Sequence, residues 1–321
     1  MNLYLAPIQS MTIAAYRNAF ARIFGGIDAY YAPFIATTDM QKVSLLLLKD
    51  LLPERNDADI KIVPQLLSNN GTDFKFFSSA IADMGYNEIN WNIGCPFPMV
   101  TNKKKGSGIL PFPDMIRDFL DIACGDSSYT ITVKMRLGLD NPEAGMRVIE
   151  VLNEYPLGGV IIHARTGKQM YTGNVNLDSF EALALACKHE ITYNGDIFTY
   201  DDFISISSRF PFIKNFMLGR GALRNPFLPS IIKGQIIPST KRISMVKNFH
   251  DEIFDYYKNI LSGDKHLCDK MKEFWEYMSV HIDKDGKLMK KIKKCHTAAD
   301  YLNVVNPILN YSSEWSDSLL K

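Results

Sequence analysis

Short runs of apolar and β-branched residues recur along the first two thirds of this chain, and most of them end in polar or glycine-containing sequence. Between the runs lie stretches in which apolar positions recur at helical spacing, as at Val148, Val151 and Leu152. Strands that alternate with amphipathic helices are typical of parallel βα units. The pattern predicts eight strands, at residues 3–6, 29–33, 61–65, 88–92, 130–135, 160–163, 191–194 and 215–218.

Eight βα units in about 220 residues match the size of a (β/α)8 TIM barrel, so the expected fold class is α/β. A doubly wound open sheet is the alternative, because it is also built from parallel βα units. That fold would carry a glycine-rich GxGxxG turn after its first strand, whereas this chain has Ala6-Pro7-Ile8-Gln9-Ser10 there. The pattern therefore favours the barrel.

The alternation of strands and helices does not continue into the last third of the chain. Residues 227–242 contain two prolines and a glycine and predict a connector. The sequence that follows has apolar stripes at helical spacing, for example Phe249 with Ile253. We expect a barrel domain over residues 1–240 and an all-helical domain over residues 241–321.

Composition narrows the class of protein. The 321 residues are 46% apolar and 22% charged, which is ordinary for a globular protein with a large core. The five cysteines form no CxxC pair or Cys/His cluster, so we expect reduced thiols and no metal site. No window approaches the roughly eighteen apolar residues of a membrane span, and the N-terminus lacks a signal-peptide pattern. These features predict a cytoplasmic protein without membrane contact.

The distribution of charge says more than the net charge of +1. One segment, residues 284–294, is strongly basic, and its sequence is KDGKLMKKIKK. A solvated helix face is the simplest interpretation of such a run. A local basic patch also lets a neutral protein hold phosphates at one edge. From the residues alone both interpretations stay open.

Polar residues and glycines follow nearly every predicted strand. In a parallel barrel the carboxyl ends of the strands share one rim, where the active site lies. A single polar residue at a strand end is usually a cap or a turn former, but its recurrence predicts an active-site rim. The rim groups are Gln9, Gln65, Cys95, Lys134 with Arg136, His163 with Arg165, Asn194-Gly195-Asp196 and Gly219-Arg220-Gly221.

The chemistry of these groups favours an electron-rich, phosphorylated cofactor. Lys134 and Arg136 lie two residues apart on one strand, so both side chains point to the same face. The glycine-containing turns after the last two strands let backbone N–H groups approach an anion, and an arginine adds charge. Gln65 and His163 are neutral hydrogen-bonding groups, although a buried histidine is often only part of the core. A flavin with its phosphate suits this set.

Cys95 lies between Gly94 and Pro96 at the end of a predicted strand, in the stretch NWNIGCPFPMV. A free cysteine is most often a small buried apolar residue. A thiol with a pKa near its usual value of about 8.5 is also mostly protonated at pH 7 and can donate a proton. Beside a flavin that delivers hydride to one carbon, it would protonate the neighbouring carbon of a polarised double bond.

Seven motifs in this chain resemble those of the tRNA-dihydrouridine synthases, in their flavin-mononucleotide-dependent bacterial type. They keep the family's order and spacing over about 220 residues, which makes the resemblance specific. The resemblance implies a barrel that binds flavin mononucleotide (FMN) and a C-terminal helical domain. It also implies reduction of the C5–C6 bond of a uridine in tRNA, with NADPH or NADH as reductant. The motifs are APIQSMT at 6–12, NIGCP at 92–96, GSG at 106–108, VKMRLGLD at 133–140, IHARTGKQMYTG at 162–173, NGDI at 194–197 and MLGRGALRNP at 217–226.

The resemblance also assigns roles to individual residues. Cys95 would protonate C5 of the uracil while the flavin gives hydride to C6. The contacts to RNA and uracil would come from Asn92, Arg136, Arg165, Lys168, Lys103, Lys290 and Lys291, with Arg165 and Lys168 near the flavin phosphate or the RNA. The flavin would be held by Pro7, Ile8, Gln9, Gln65, Lys134, His163, Asn194, Gly195, Asp196, Gly219 and Arg220. The family precedent predicts a monomer with tRNA as its partner.

Three departures from the family pattern affect substrate detail rather than the flavin ligands. Asn90 stands where the family commonly has Asp, and Ser10 stands where it often has Gly. Pro98 and Met99 replace a pair that is often basic. The sequence does not say which uridine of the tRNA is modified.

Other functions stay open at this point. A flavin oxidoreductase acting on a free pyrimidine or another small molecule would use the same rim, although it would not require a basic helical domain. A non-enzymatic RNA-binding protein with a vestigial flavin site is a second alternative. A barrel whose rim residues are purely structural is a third. The intact Cys95 and the complete rim favour the enzyme.

Overall fold

The computed structural model of the chain describes residues 1–38, 43–125, 128–283, 285–311 and 315–316. Within these residues, ten strands pair in parallel in one sheet, and a helix follows most of them. The strands are β1 (Asn2–Leu5), β2 (Ala29–Tyr31), β3 (Ile35–Ala36), β4 (Ile62–Val63), β5 (Gln65–Leu67), β6 (Glu88–Ile93), β7 (Thr130–Arg136), β8 (Gly159–His163), β9 (Ile191–Asn194) and β10 (Asn215–Leu218).

Two prolines explain why ten strands arise where the sequence predicts eight. Pro33 lies between β2 and β3, and Pro64 joins β4 to β5. Proline has no backbone N–H to donate to a ladder, so it interrupts a strand. β2 pairs with β4 and β3 pairs with β5, so each divided strand continues beside the other. The four short strands β2 to β5 therefore occupy the positions of two strands in an eight-stranded barrel.

The sheet closes on itself. β1 pairs with β10 on one side and with β2 on the other, and β5 pairs with β6. The carbonyl of Pro64 accepts a hydrogen bond from the Asn90 N–H at 2.8 Å, which keeps the join closed where the ladder is interrupted. The (β/α)8 barrel predicted from the sequence is confirmed, and the open doubly wound sheet is excluded.

The helices surround the barrel and extend beyond it at the C-terminal end. Among the described residues none of them combines the length and the apolar character needed to cross a membrane. The helices are α1 (Ala14–Ile23), α2 (Leu45–Leu48), α3 (Gly71–Ala82), α4 (Pro98–Thr101), α5 (Pro113–Ala123), α6 (Glu143–Leu152), α7 (Leu177–Ala186), α8 (Tyr200–Arg209), α9 (Arg220–Arg224), α10 (Leu228–Ile232), α11 (Ser239–Ile260), α12 (Asp264–Met278), α13 (Lys287–Ile292) and α14 (Ala298–Tyr311).

Alternating residues of the strands separate two apolar cores. Tyr30 and Ile62 face outward and belong to the large cluster that the surrounding helices cover. Tyr31, Val63 and Met217 point into the barrel and form a smaller cluster there. This alternation follows from the two-residue period of a strand. The apolar filling of the barrel leaves its carboxyl rim to the polar groups.

The C-terminal helices pack directly on the barrel. The ring of Phe249 in α11 makes edge contacts with Tyr16 and Phe24, with ring centroids 5.0 and 5.1 Å apart. One apolar cluster runs from the barrel helices into α11, α12 and α14. The expected boundary between residues 240 and 241 falls in the first turn of α11, and the division into two domains stays a prediction.

Candidate active site

A cavity of about 730 Å³ opens at the carboxyl ends of the strands. Its wall brings together Cys95 and Arg136 with the predicted flavin ligands, Gln65 excepted. A volume of this size is typical of a site for a cofactor or a small molecule. The predicted flavin ligands on the wall are Pro7, Ile8, Gln9, Lys134, His163, Asn194, Gly195, Asp196, Gly219 and Arg220.

The backbone around Cys95 is fixed from both sides. The side-chain oxygen of Asn92 accepts hydrogen bonds from the N–H groups of Gly94 at 3.0 Å and Cys95 at 2.9 Å. The carbonyl of Cys95 accepts from the backbone N–H of Ser107 at 2.9 Å and from its hydroxyl at 3.1 Å. Gly106 packs against Cys95 in a left-handed conformation, with a φ of 55°. The NIGCP and GSG motifs therefore meet around the thiol.

The thiol of Cys95 is buried, and its environment keeps it protonated. Burial raises the pKa of Cys95, because a thiolate in a poorly hydrated site loses its solvation. The backbone of Phe97 and the charges of Arg136 and Lys134 lower the pKa, but burial outweighs them. The group at the cavity wall is therefore a thiol at neutral pH.

Positive charge is concentrated beside the thiol. Burial, together with the charge of Arg136, lowers the pKa of Lys134 to about 7. Burial, Arg136 and Lys134 hold the pKa of His163 well below its usual value, so this ring is neutral. Burial also lowers the pKa of Arg136, to about 10. A cavity with uncompensated cations of this kind favours an anionic or electron-rich occupant.

Arg136 ties three parts of the site together. Its Nε donates to the carbonyl of Gly94 at 3.0 Å, next to Cys95 in the chain. Its Nη1 donates to the carbonyls of Thr166 at 2.7 Å and Met170 at 2.6 Å. Met170 has a φ of 48°, which is unfavourable for a methionine, and the arginine stabilises this turn. Arg136 thus couples β7 to the cysteine loop and to the loop after β8.

Arg165 is also buried, and the neighbouring chain occupies most of its hydrogen-bond donors. It donates to the carbonyls of Thr172 at 3.2 Å and Gly173 at 2.6 Å. Its guanidinium also forms a two-pronged ion pair with the carboxylate of Asp196. The same carboxylate accepts from Arg220 at 2.9 Å. The structure therefore places Arg165 as a support of the loop and of Asp196.

The carboxylate of Asp196 stays ionised between these two arginines. Burial acts to raise its pKa, but the hydrogen bonds and charges of Arg165 and Arg220 outweigh burial and lower the pKa. Asp196 in turn orients Arg220 toward the cavity that both residues line. The pair forms the wall of the cavity after β9 and β10.

Tyr171 is a cavity residue that sequence reasoning did not single out, although it lies within the IHARTGKQMYTG motif. The guanidinium groups of Arg136 and Arg220 lie 5.3 and 5.1 Å from its ring centroid. The ring of His163 is 6.3 Å away. Tyr171 is 46% exposed and so presents an aromatic face beside these cations.

Gln65 and Asn92 lie behind the cavity wall. Gln65 is buried, donates to the side chain of Asn90 at 2.7 Å and accepts from Asn92 at 2.8 Å. Asn90 in turn donates to the hydroxyl of Thr132 at 3.0 Å. An amide at position 90 both accepts and donates, which a carboxylate would not do, so Asn90 fits this network in place of the family's Asp. Direct contacts of Gln65 with flavin and of Asn92 with uracil stay predictions.

The basic residues expected to hold RNA lie outside the cavity. Lys103 is exposed, and its carbonyl accepts a hydrogen bond from Asn69 at 3.0 Å. Lys168 forms an exposed ion pair with Asp140 at 3.0 Å. Lys290 and Lys291 lie on the exposed side of α13, whose apolar side faces the helical core. Lys284, at the start of the basic segment, lies outside the described residues.

Ser10 occupies a backbone position that suits glycine. Its φ is 64°, in the left-handed region that residues with a Cβ rarely adopt. Its carbonyl accepts a hydrogen bond from the hydroxyl of Tyr257 in α11 at 3.5 Å. Ser10 therefore holds a left-handed turn position of the kind that glycine favours.

One side of the cavity comes from the C-terminal helices. Glu273, Glu276 and Tyr277 of α12 and the following Val280 lie on its wall. Nothing in the local sequence of α12 marks these residues, because their position depends on how the helical region packs on the barrel. Sequence reasoning missed this side of the cavity, as it missed Tyr171.

Known proteins resemble this chain over most of its length. The sequence profile of the family described as Dihydrouridine synthase (Dus) matches residues 4–312. The tRNA-dihydrouridine(16) synthase of Neisseria meningitidis serogroup B is 24% identical over 314 residues, 94% of this chain and 93% of that protein. A probable tRNA-dihydrouridine synthase of Staphylococcus epidermidis is 27% identical over 284 residues, 87% of this chain and 83% of that protein.

Solved structures bear on the fold alone. Histamine dehydrogenase from Rhizobium sp. 4-9 has a TM-score of 0.54 at 10% identity, over 77% of this chain and 49% of that chain. Morphinone reductase in complex with tetrahydroNAD has a TM-score of 0.50 at 10% identity, over 77% of this chain and 90% of that chain. The family profile, in contrast, spans nearly the whole sequence. The chain therefore belongs to the dihydrouridine synthase family.

Proposed function

We propose that the chain is a tRNA-dihydrouridine synthase, which reduces the C5–C6 double bond of a uridine in tRNA. Curated relatives with this name align with nearly its whole length. The observation that carries the proposal is the protonated thiol of Cys95, held by Asn92 and Ser107 at the wall of a cationic cavity. A fixed proton donor beside a cofactor-sized cavity is what the reduction of a polarised double bond requires.

Flavin mononucleotide fits the cavity as the cofactor, with NADPH as the reductant. Burial and neighbouring arginine charges lower the pKa of Lys134 and Arg136, and an electron-rich ring and a phosphate would offset this effect. Lys134, His163 and Asn194 would hold the ring. Arg220, oriented by Asp196, would meet the phosphate. When bound, the flavin supplies the hydride that reduces C6 of the uracil.

The residues of the chain handle the proton and the charge. Reduction at C6 leaves negative charge at C5 and on the C4 carbonyl oxygen of the uracil. Cys95 holds on its sulfur the proton that neutralises C5. Arg136 supplies fixed positive charge where this negative charge develops, Lys134 adds positive charge in its protonated form, and burial strengthens both interactions. Asn92 acts by holding the cysteine backbone.

The helical region and the exposed lysines would bind the rest of the tRNA. A uridine must be turned out of its stack to reach a barrel mouth, so the surrounding RNA needs separate anchors. Lys103, Lys290 and Lys291 are exposed and available to phosphates. Lys168 would join them by exchanging its ion pair with Asp140 for a phosphate. The proposal includes a monomeric enzyme in the cytoplasm, as the family resemblance implies.

Mass-spectrometric mapping of dihydrouridine tests the proposal. Unmodified tRNA is incubated without oxygen with the protein, FMN and NADPH, and the product is compared with that of the Cys95→Ala variant. We expect dihydrouridine at a defined position with the wild-type protein and at least a hundredfold less with Cys95→Ala, as for the loss of a general acid. Some relatives carry position 16 in their names, so uridine 16 is the first position to examine.

Cys187→Ala is the matched control. Cys187 is also a free cysteine, but it is half-buried and follows α7 at the opposite, amino-terminal end of the barrel. This variant should keep wild-type activity. No dihydrouridine from folded, flavin-loaded wild-type protein would contradict the proposal. Reduction of free uridine that is unaffected by salt would favour the small-molecule oxidoreductase instead.

A further inference from the structure

An exposed apolar tip lies directly beside the reactive cysteine. It consists of Phe97, Pro98 and Met99, which follow Cys95 and Pro96 in the chain. Phe97 lies on the wall of the cavity and is 46% exposed, and Met99 is 78% exposed. Neighbouring exposed apolar side chains at the mouth of a cavity are typical of a binding surface.

The backbone of this tip is rigid. Phe97 lies between two prolines, and its carbonyl accepts hydrogen bonds from the N–H groups of Val100 at 2.8 Å and Thr101 at 3.0 Å. Proline fixes its own φ and restricts the residue before it. Phe97 is thus the first residue before α4, with Pro98 in the first turn. A rigid backbone lowers the entropy lost when the side chain binds a partner.

The side chains of the tip have little protein to pack against. Among the described residues, Phe97 and Met99 belong to neither apolar cluster, and Phe97 forms no aromatic ring pair. By contrast, Phe112, a partly exposed phenylalanine nearby in sequence, has the ammonium group of Lys104 4.4 Å from its ring centroid. The ring of Phe97 therefore offers an open aromatic face.

Cations accompany the tip in the same loop. Lys103 and Lys104 are exposed and follow α4 directly. An aromatic face next to lysines matches a nucleobase with its neighbouring phosphates, as in surfaces that bind single-stranded nucleic acid. The combination favours RNA over an apolar peptide, because a peptide would not need the cations.

We propose that Phe97 stacks on a nucleobase adjacent to the target uridine, with Met99 against the edge of that base, and so keeps the uridine turned out toward Cys95. The inference rests on the proposed function and deepens it by naming a nucleotide-positioning residue. An extruded base leaves its neighbours partly unstacked, and an aromatic side chain restores the lost stacking. Phe97 acts on substrate position and not on the chemistry of reduction.

Substitutions at Phe97 separate stacking from simple burial. Phe97→Ala should lower kcat/KM for tRNA about tenfold or more, as expected for the loss of one stacking contact. Phe97→Tyr should restore most of it, whereas Phe97→Leu, which keeps apolar area without an aromatic face, should not. Flavin content and the rate at which NADPH reduces the flavin should stay at the wild-type level in all three variants.

A fluorescence experiment reports stacking without turnover. The three native tryptophans, Trp91, Trp275 and Trp315, are buried, so an added tryptophan at position 97 would be the exposed one. In Phe97→Trp, tRNA should quench the emission of this new side chain. Phe212→Trp is the control, because Phe212 is 44% exposed and precedes β10 at the opposite end of the barrel. Its emission should not change.

The outcomes distinguish this inference from the proposed function. If wild-type protein forms dihydrouridine but Phe97→Ala and Phe97→Leu match it, and position 97 is not quenched, the stacking role is wrong and the proposed function stands. If wild-type protein forms none while tRNA quenches position 97 alone, the contact stands and the reaction does not. Equal quenching at positions 97 and 212 overturns the inference, because it indicates nonspecific binding.

Discussion

Asn92 illustrates how a side chain behind the cavity wall positions the backbone that carries the Cys95 thiol. Its oxygen accepts from the backbone N–H groups of Gly94 and Cys95, and its nitrogen donates to Gln65. Among the described residues the pairing of β6 with β7 ends at Ile93, so the side chain of Asn92 takes the place of a ladder hydrogen bond. Asn92 thus ties the backbone of Cys95, the proposed proton donor, to β6.

We predict that Asn92→Ala lowers kcat about tenfold to a hundredfold while KM for tRNA changes little, because a misplaced proton donor affects the chemical step. Steady-state kinetics with tRNA would measure the split. Asn92→Asp keeps the acceptor oxygen and should retain more activity than the alanine variant. A rise in KM with unchanged kcat would instead indicate that Asn92 binds the uracil directly.

Asn153→Ala is the matched control for this substitution. Asn153 also bridges backbone groups, donating to the carbonyl of Ala186 at 2.9 Å and accepting from the N–H of Lys188 at 2.7 Å. It lies between α6 and β8, at the amino-terminal end of the barrel. Its kinetics should match those of the wild type once folding is intact.

The sequence identified most of the residues that meet at the cavity, but it did not reveal what each one contacts. Cys95, Lys134 and His163 could be predicted because the end of every barrel strand faces one rim. The contacts of Gln65 and Arg165 could not, because burial and hydrogen-bond partners depend on distant segments. Arg165 meets Asp196 across 31 positions of the chain.

At the scale of elements, close packing of two loops shapes the site. The loop that begins with Gly106 passes so near Cys95 that a Cβ atom at position 106 would lie 2.5 Å from the Cys95 carbonyl oxygen and 2.9 Å from its Cβ. The φ of 55° at Gly106 adds a conformational requirement for glycine. The GSG motif is therefore a packing requirement of the cysteine loop.

Gly106→Ala should lower the free energy of unfolding by about 2 kcal/mol or more, because steric overlap adds to the strain of a left-handed residue. Urea denaturation would measure this change, and activity per folded molecule should also fall. Gly234→Ala is the control for strain alone, since Gly234 has a φ of 80° and no atom of the described residues lies within 4 Å of its added Cβ. Equal losses in the two variants would show that the overlap with Cys95 is relieved at no cost.

The predicted strands all occur, and their two irregularities have a local cause. Pro64 divides the strand predicted at residues 61–65, whereas Pro33 ends the strand predicted at residues 29–33 and β3 follows beyond the predicted bounds. The wall that α12 contributes has no such local cause. Its helical stripe predicts burial of Phe274 and Trp275, which is observed, but not which strand ends the other side of α12 faces.

At the scale of the molecule, the helical region links the cavity to the basic surface. α12 carries Glu273, Glu276 and Tyr277 on the cavity wall, and α13 packs against α12 and α14 with its lysines outward. A tRNA anchored on α13 would be held by the same rigid unit that borders the cavity. The net charge of +1 conceals this asymmetry, because acidic residues elsewhere balance it.

We predict that Lys290→Gln with Lys291→Gln weakens tRNA binding and flattens its salt dependence. Each phosphate contact contributes about 0.7 to 0.9 to the slope of log K against log salt, so two lost contacts should reduce the slope by about 1.4 to 1.8. Filter binding over a series of salt concentrations measures it. Turnover at saturating tRNA should change little, because neither lysine lines the cavity.

Lys188→Gln with Lys214→Gln provides a control of equal charge. Both lysines are exposed, and they precede β9 and β10, so they lie at the end of the barrel away from the cavity. If tRNA lies across α13, the control should keep the wild-type slope while its overall charge falls by the same amount. Equal slopes in the two double variants would mean that the protein's overall charge, and not a surface on α13, attracts the RNA.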